Sequence, residues 1–246
     1  LGAILDCCQK HDLWRIGDNC DALGCTYSLP VEEAKQLGLD HLLKLAEERQ
    51  DDTNYSTVKD GILTAYTGTF GDISTQSFYP PHHLTMGEGG SVNIIKRAPL
   101  KTYAESFRDW GRDCWCPSGK DDTCCKRFQW QLGELPEGYD HKYIYSHLGF
   151  NVKPLDTQAA IGRVQLRRLP SFIEARKQNW QKLRLGLASL EKYIDFALPT
   201  HATKWNADGS FEWDESGHQT ACSWLGVKLA MKADDAFPRT DGAGPL

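Results

Sequence analysis

The chain has 246 residues, with 33 acidic against 28 basic side chains and a net charge of −5. It is long enough to bury a core as one large domain or two small ones, and its acidic balance gives no electrostatic basis for binding nucleic acid. The sequence shows neither an apolar run long enough to cross a bilayer nor a signal-peptide pattern, so no membrane span is expected and the cytoplasm is the expected compartment.

Ala3 to Lys10 is expected to be helical, with Ile4, Leu5 and Cys8 on one side. Leu13 to Gly17 is short and apolar enough for a buried parallel strand, and it ends at Asp18. Open α/β sheets gather ligand contacts at the carboxyl ends of such strands. An Asp there serves equally as the N-cap of a following helix, and both uses stand open for Asp18. From about Leu29 to Thr64 the sequence reads as an insertion. Val31 to Gln50 carries Leu37, Leu39, Leu42, Leu43 and Leu45 at helical spacing among many charges. Gln50 to Asn54 reads as a loop and Asp60-Gly61 as a turn. A surface helical hairpin is the most economical form for this segment.

Ile73 to Phe78 is expected to be a strand leading into the loop Tyr79-Pro80-Pro81-His82-His83-Leu84-Thr85-Met86-Gly87-Glu88-Gly89-Gly90. Gly87, Gly89 and Gly90 permit positive φ and close backbone approach. Ser91 to Ile95 is a further strand, Leu100 to Trp110 a helix that stops near Gly111, and Cys114 to Arg127 a polar loop. Gln158 to Leu169 and Pro170 to Tyr193 read as two helices separated at Pro170, the second basic on its exposed side. After about Asp195 the elements are shorter and punctuated by Pro and Gly, which suits a small α/β domain.

Nine cysteines is an odd count, and Cys7-Cys8 and Cys124-Cys125 are adjacent. Without a secretory context such spacing reads as reduced thiols or metal ligands rather than a disulfide framework. Cys114-Trp115-Cys116, followed by Cys124 after seven residues, places three soft ligands in a polar loop. A metal or cluster, ordinary thiols and redox cysteines are the three readings. Four thiolates suit zinc and iron–sulfur alike. The adjacent His82 and His83 read by themselves as loop histidines, and Ser77 as an ordinary strand serine.

The segment Ser77 to Gly90, with its T-x-G-E-G-G turn at Thr85-Met86-Gly87-Glu88-Gly89-Gly90, resembles the cofactor loop of the DegT/DnrJ/EryC1/StrS sugar aminotransferases, which use pyridoxal phosphate (PLP). In that family a lysine just ahead of the turn forms a Schiff base with the cofactor. Here His82 holds its place. Imidazole cannot make that stable linkage, but it moves protons near neutral pH. The exchange points from transamination toward sugar dehydration. Asp109-Trp110-Gly111-Arg112-Asp113-Cys114-Trp115-Cys116 is similar to the iron–sulfur segment of one branch of the family, the CDP-4-keto-6-deoxy-D-glucose 3-dehydrases of 3,6-dideoxysugar and O-antigen (lipopolysaccharide) biosynthesis. Asp18-Asn19-Cys20-Asp21-Ala22-Leu23-Gly24 matches the family's D-x-C-D-A-L-G segment.

The resemblance implies an α/β, PLP-dependent transferase type I (aspartate aminotransferase-like) fold, incomplete at its N-terminus. Residues 1–150 would be the C-terminal part of the large domain, with the insertion at about 29–64 and a cluster loop at 114–127. Residues 151–246 would be interdomain helices and a truncated small domain. The chain starts at Leu1 and stops after Gly244-Pro245-Leu246, as expected for the C-terminal part of a longer protein. The resemblance makes His82 the general base, Asp18 the partner of the pyridine nitrogen and Ser77 a phosphate donor. Asp21 stands near the cofactor's 3-hydroxyl, and Asn151 reaches the phosphate from a neighbouring subunit of a homodimer. Cys20, Cys114, Cys116 and Cys124 would hold a [2Fe–2S] cluster; Cys125 could replace Cys124 on chemistry alone, and Cys124 is preferred by alignment. The implied cofactor is PLP in its pyridoxamine form (PMP), the substrate a nucleotide sugar, and the electron donor a flavin and iron–sulfur reductase. Three rivals stand beside this reading: a PLP sugar aminotransferase, a cluster-free GDP-4-keto-6-deoxymannose 3-dehydratase, and a non-catalytic zinc-binding module.

Overall fold

The computed structural model describes residues 1–48, 55–96, 99–114, 116, 120, 122–191, 193–221 and 229–231. Helix α1 (Gly2–Lys10) buries Leu5, and its backbone closes through His11 N–H to the Cys7 carbonyl at 3.1 Å. Strand β1 (Ile16–Asp18) forms as expected at the end of the Leu13 run, but it is not buried: Ile16 is 65% exposed.

The segment expected to be a surface helical hairpin is built differently. It contains β2 (Thr26–Pro30), α2 (Val31–Gln36), α3 (Asp40–Glu48), β3 (Ser56–Lys59) and β4 (Ile62–Tyr66). The predicted helix over 31–50 is cut in two at Gly38. With φ +65, Gly38 closes a Schellman motif in which its N–H reaches the Lys35 carbonyl at 3.1 Å and Leu39 N–H reaches Ala34 at 2.9 Å. Asp60 and Gly61, both at positive φ, join β3 to β4 in a two-residue hairpin with Lys59 opposite Ile62. The predicted loop at Gln50 to Asn54 lies outside the described residues.

This segment is also the core rather than a surface appendage. Leu29, Ala34, Leu39, Leu42 and Leu63 are fully buried, and Leu5, Tyr27, Leu37, Ala65 and Phe70 complete one apolar cluster. The helix leucines cover one face of the antiparallel β2–β4–β3 sheet, whose alternating residues meet them. Leu63→Ala is expected to lower stability by about 2–5 kcal/mol through lost transfer energy and a residual cavity. The denaturant midpoint measures it, and an unchanged midpoint would show that this cluster does not limit unfolding.

Strand β5 (Ile73–Ser77) lies between β1, to which it is parallel, and the antiparallel β6 (Gly90–Ile94). Helix α4 (Pro99–Arg108) follows. Where it ends, Trp110 and Gly111 take positive φ, and the chain crosses the 145–151 segment. A Cβ on Gly111 would stand 1.9 Å from the His147 carbonyl oxygen, so only glycine fits there.

Helix α5 (Asp156–Gly186) runs without interruption through Pro170, where a break between two helices was expected. Proline removes one backbone donor and its ring crowds the preceding turn, but the position is exposed and the flanking helical sequence is long enough to hold the backbone on both sides. Short antiparallel pairs complete the chain: β7 (Ile194–Phe196), β8 (Ala202–Trp205) against β9 (Phe211–Trp213), β10 (Gln219–Ala221) added to the edge of β2, and β11 (Leu229–Met231) on β7. Among the described residues no helix is long and apolar enough to cross a membrane.

Candidate active site

The parallel pairing of β1 with β5 sets Asp18 opposite Thr75. Asp18 Oδ1 accepts the Cys20 backbone N–H at 3.1 Å and the Thr75 hydroxyl at 3.4 Å. No helix follows Asp18; the chain turns through Cys20 to Gly24. Of the two uses the sequence left open, the N-cap is therefore excluded, and the carboxylate closes a side-chain turn instead. Hydrogen bonds from the Cys20 thiol, then from its backbone N–H and from Thr75, hold the Asp18 carboxyl below its usual range, with His82 adding attraction. Asp18 is thus a fixed negative charge at the carboxyl end of a strand. The same contact with Asp18 raises the Cys20 thiol.

The loop after β5 is folded by its own backbone. Phe78 N–H donates to Gly89 at 2.9 Å, Met86 N–H to Phe78 at 3.0 Å and His82 N–H to Tyr79 at 3.0 Å. Gly87 and Gly89 take φ of 88° and 137°, and a Cβ on Gly90 would lie 2.4 Å from the Gln76 carbonyl oxygen. The glycines of the turn are required by positive φ at two positions and by close approach at the third.

Ser77 Oγ accepts the Tyr79 N–H at 3.2 Å, which leaves its own proton to donate. His82 presents Nε2 at 3.7 Å from Asp21 Oδ1 and packs edge-on to the Tyr79 ring at 5.7 Å. Its Nδ1 is buried and has no hydrogen-bond partner among the described residues. His83 is buried at 3% exposure with neither ring nitrogen partnered; burial first, then the Arg176 charge, push its pKa below the usual range.

Asp18, Asp21 and His82 thus converge, with Ser77 on the same strand as Thr75. Asn151 does not join them in this chain. It pairs by backbone with Asp109, and its exposed side chain makes no hydrogen bond among the described residues. Lys153, two residues on, forms an ion pair with Asp109 at 3.0 Å. Sequence reasoning missed Thr75 and Arg176. Thr75 could have been found, because in a strand it shares a face with Ser77 two residues on. Arg176, 94 residues from His82, donates from Nη2 to the His82 carbonyl at 3.0 Å and from Nη1 to the His83 carbonyl at 3.3 Å.

Three of the four proposed cluster ligands also come together. The Cys116 thiol is the electrostatic neighbour of Cys114 and Cys124. The Thr123 hydroxyl foremost, and then these neighbours, bring its pKa down to about 7. Burial raises Cys114 and Cys124. Cys124 Sγ also lies 3.8 Å from His141 Nε2, in a fully buried imidazole stacked on Trp130 at 4.9 Å. The Arg127–Asp140 pair, at 2.9 and 2.8 Å, fastens this loop. Cys125 is exposed, and Trp115 lies outside the described residues. Cys20 stays with Asp18 and Thr75, its sulfur 4.0 Å from Thr75 Oγ1. Among the described residues no group of three or more His, Cys, Asp or Glu side chains stands at metal-binding geometry, so the thiols are gathered but not set as a closed ligand cage.

The fold is that of the PLP-dependent, aspartate aminotransferase-like class of α/β protein. The chain is a member of the DegT/DnrJ/EryC1/StrS aminotransferase family, whose model matches residues 1–211. It is 41% identical over 241 residues to the lipopolysaccharide biosynthesis protein RfbH of Salmonella typhimurium LT2, covering 98% of this chain and 43% of that protein. It is 38% identical to the dTDP-4-dehydro-2,6-dideoxy-D-glucose 3-dehydratase of Saccharopolyspora spinosa, covering 96% of this chain and 39% of that protein. Among solved structures, E. coli GDP-4-keto-6-deoxy-D-mannose-3-dehydratase with bound hydrated PLP superposes with a TM-score of 0.55 at 20% identity, over 97% of this chain and 45% of that one. That likeness is one of fold. The chain spans less than half the length of each of these relatives.

Proposed function

We propose that the protein of which this chain forms part removes the C3 hydroxyl of a nucleotide-linked 4-keto-6-deoxyhexose, using pyridoxamine phosphate. The finer form of the proposal is a CDP-linked sugar and a [2Fe–2S] cluster fed by a flavin and iron–sulfur reductase, in a homodimer that builds dideoxysugars for O-antigen. The observation that carries the reading is His82. It occupies the place of the family's lysine, and residues 77–94 contain no lysine at all.

The residues fit the cofactor. The Asp18 carboxylate is held ionised and exposed, as a protonated ring nitrogen requires, and the Ser77 hydroxyl has a proton free to donate to a phosphate oxygen. When bound, pyridoxamine phosphate supplies a primary amine for the sugar ketone and a conjugated ring to carry electron density toward C3. His82 takes a proton at Nε2, its Nδ1 being buried. Imidazole suits that task because its ordinary pKa lies near neutrality. The Asp21 carboxylate lies 3.7 Å from Nε2. Asp18→Asn removes the fixed charge, and cofactor affinity and turnover are both expected to fall. Cofactor titration by absorbance measures the first, and unchanged affinity would move the ring-nitrogen contact elsewhere.

The cluster fits in part. Cys114, Cys116 and Cys124 would hold it, with Cys20 exchanging its contact with Asp18 for the fourth position. A bound cluster supplies single electrons. The separation of Cys20 from the loop thiols favours a second reading, a cluster-free dehydratase at the same site.

The test of the common reading is the product. Full-length protein given a nucleotide-linked 4-keto-6-deoxyhexose and either stoichiometric pyridoxamine phosphate, which would be left as pyridoxal phosphate and ammonia, or the reduced flavin and iron–sulfur reductase as the source of two electrons should yield a sugar lacking the C3 oxygen, detected by mass spectrometry. An amino sugar formed with glutamate instead would make the protein an aminotransferase and overturn the proposal.

A further inference from the structure

We infer that Arg176 of α5 is a positioning residue for His82, holding the two successive peptide carbonyls of His82 and His83 in one guanidinium fork. The inference rests on the reading of His82 as the base. Its geometry is direct: Nη2 donates to the His82 carbonyl at 3.0 Å and Nη1 to the His83 carbonyl at 3.3 Å. A planar fork that engages two neighbouring carbonyls fixes the backbone on both sides of a peptide unit, which a single point donor cannot do.

Arg176 has no carboxylate partner among the described residues, although burial disfavours its charge. A half-buried, unneutralised guanidinium costs stability. Among the described residues its hydrogen bonds go to the loop that carries His82, so its function is to be sought there. The same helix grips the loop again at its far end, where Gln158 Nε2 donates to the Glu88 carbonyl at 3.2 Å. Gln158 and Arg176 stand about five turns apart, at roughly 3.6 residues per turn, so they share one face of α5. Between them Gly162 lies against Met86, whose Cβ would be 3.4 Å from an added methyl. The loop is therefore fastened to α5 along its length, and the fastening at the histidine is Arg176. Among the described residues His82 is held otherwise by its N–H to Tyr79, by ring contact with that residue and by its ring's approach to Asp21 at 3.7 Å.

Displacement of a catalytic group by about 1 Å can cost on the order of 10²-fold in rate. Arg176→Met in full-length, cofactor-loaded protein is therefore expected to lower kcat by about that factor while KM for the nucleotide sugar and the cofactor absorbance hold. Arg176→Lys should recover only part, since an ammonium serves one carbonyl at a time. Hydrogen exchange of the backbone amides from His82 to Met86 supplies a readout independent of turnover. Exchange should quicken in the Met variant, less so in the Lys variant, with the amides of α5 unchanged. Unchanged loop exchange and kcat in Arg176→Met would overturn the inference. So would faster exchange throughout α5, which would make Arg176 a general support of the helix; if the Met variant is insoluble, the Lys variant is judged by the same two measurements. His82→Asn run alongside separates the two readings: if it keeps full turnover the base assignment fails, while loop exchange in the Arg176 variants still decides the clamp.

Discussion

His82→Asn is expected to lower turnover by about 10²–10⁴-fold, the usual contribution of a positioned general base. The substitution is a clean one. The two hydrogen bonds that place the residue run through its backbone, N–H to Tyr79 and carbonyl from Arg176, and neither uses the ring. Among the described residues Nδ1 has no partner to lose, and the side chain is only partly buried, so fold and cofactor affinity should survive. Loss of rate with normal cofactor absorbance is the signature of a missing base. His82→Lys makes the complementary test, because it restores the family's amine at this place. Dehydration should disappear, and borohydride reduction should leave a cofactor-sized mass on the denatured chain. Full dehydration by either variant would remove His82 from the chemistry and with it the main argument for a dehydratase.

The parts of the fold that the sequence reveals are those set by short-range chemistry. The strand ending at Asp18 rests on a short apolar run, and the strand ending at Ser77 and the helix before Gly111 are each bounded by a turn or glycine that the local sequence marks. Asp60-Gly61 dictates a hairpin because both residues tolerate positive φ. The insertion is misread because its leucines at helical spacing dominate the local pattern. The alternation that makes a sheet is split between Leu29 on β2 and Leu63 and Ala65 on β4, and nothing in either run says that they pair. The addition of Gln219–Ala221 to the edge of β2 joins residues some 190 positions apart and has no local signal. It is locked by Glu33 and Tyr27, which hold the two ring nitrogens of His218 at 2.9 and 2.6 Å. Pro170 misleads for the opposite reason, since a local rule is overridden by the length of helix on either side.

The site divides along the same line. His82, Asp18 and Ser77 are singled out by the family resemblance of their segments, since by themselves they read as a loop histidine, a cap and a strand serine. Thr75 and Arg176 matter through partners fixed only by tertiary structure: Thr75 by strand register, Arg176 by the packing of α5 on a loop 94 residues earlier. The cysteines are intermediate. Their loop spacing announces that three thiols meet, but whether Cys20 joins them is a question of distance across the sheet end that spacing does not address.

That question makes Cys116→Ser the second decisive substitution. Of the three loop thiols Cys116 alone is lowered, foremost by the Thr123 hydroxyl and to about 7, while Cys114 and Cys124 are raised, and the thiolate is the form that binds iron. Serine keeps the size and a hydrogen-bonding group but withdraws the soft ligand. Anaerobically purified full-length protein is expected to carry about two irons and two acid-labile sulfides per chain, and Cys116→Ser to lose nearly all of both while the cofactor still binds. Cys125→Ser is the control, because Cys125 is exposed and stands at positive φ, outside the trio. Cys20→Ser then settles the fourth ligand: loss of iron would show that Cys20 leaves Asp18 for the cluster, and retained iron would require another donor. Iron that persists in Cys116→Ser refutes the ligand set. Zinc in the parent protein would turn the loop into a structural site, and no metal at all would leave His82 and its neighbours as a cluster-free dehydratase. In either case the electrons of the finer proposal would have no route through these thiols.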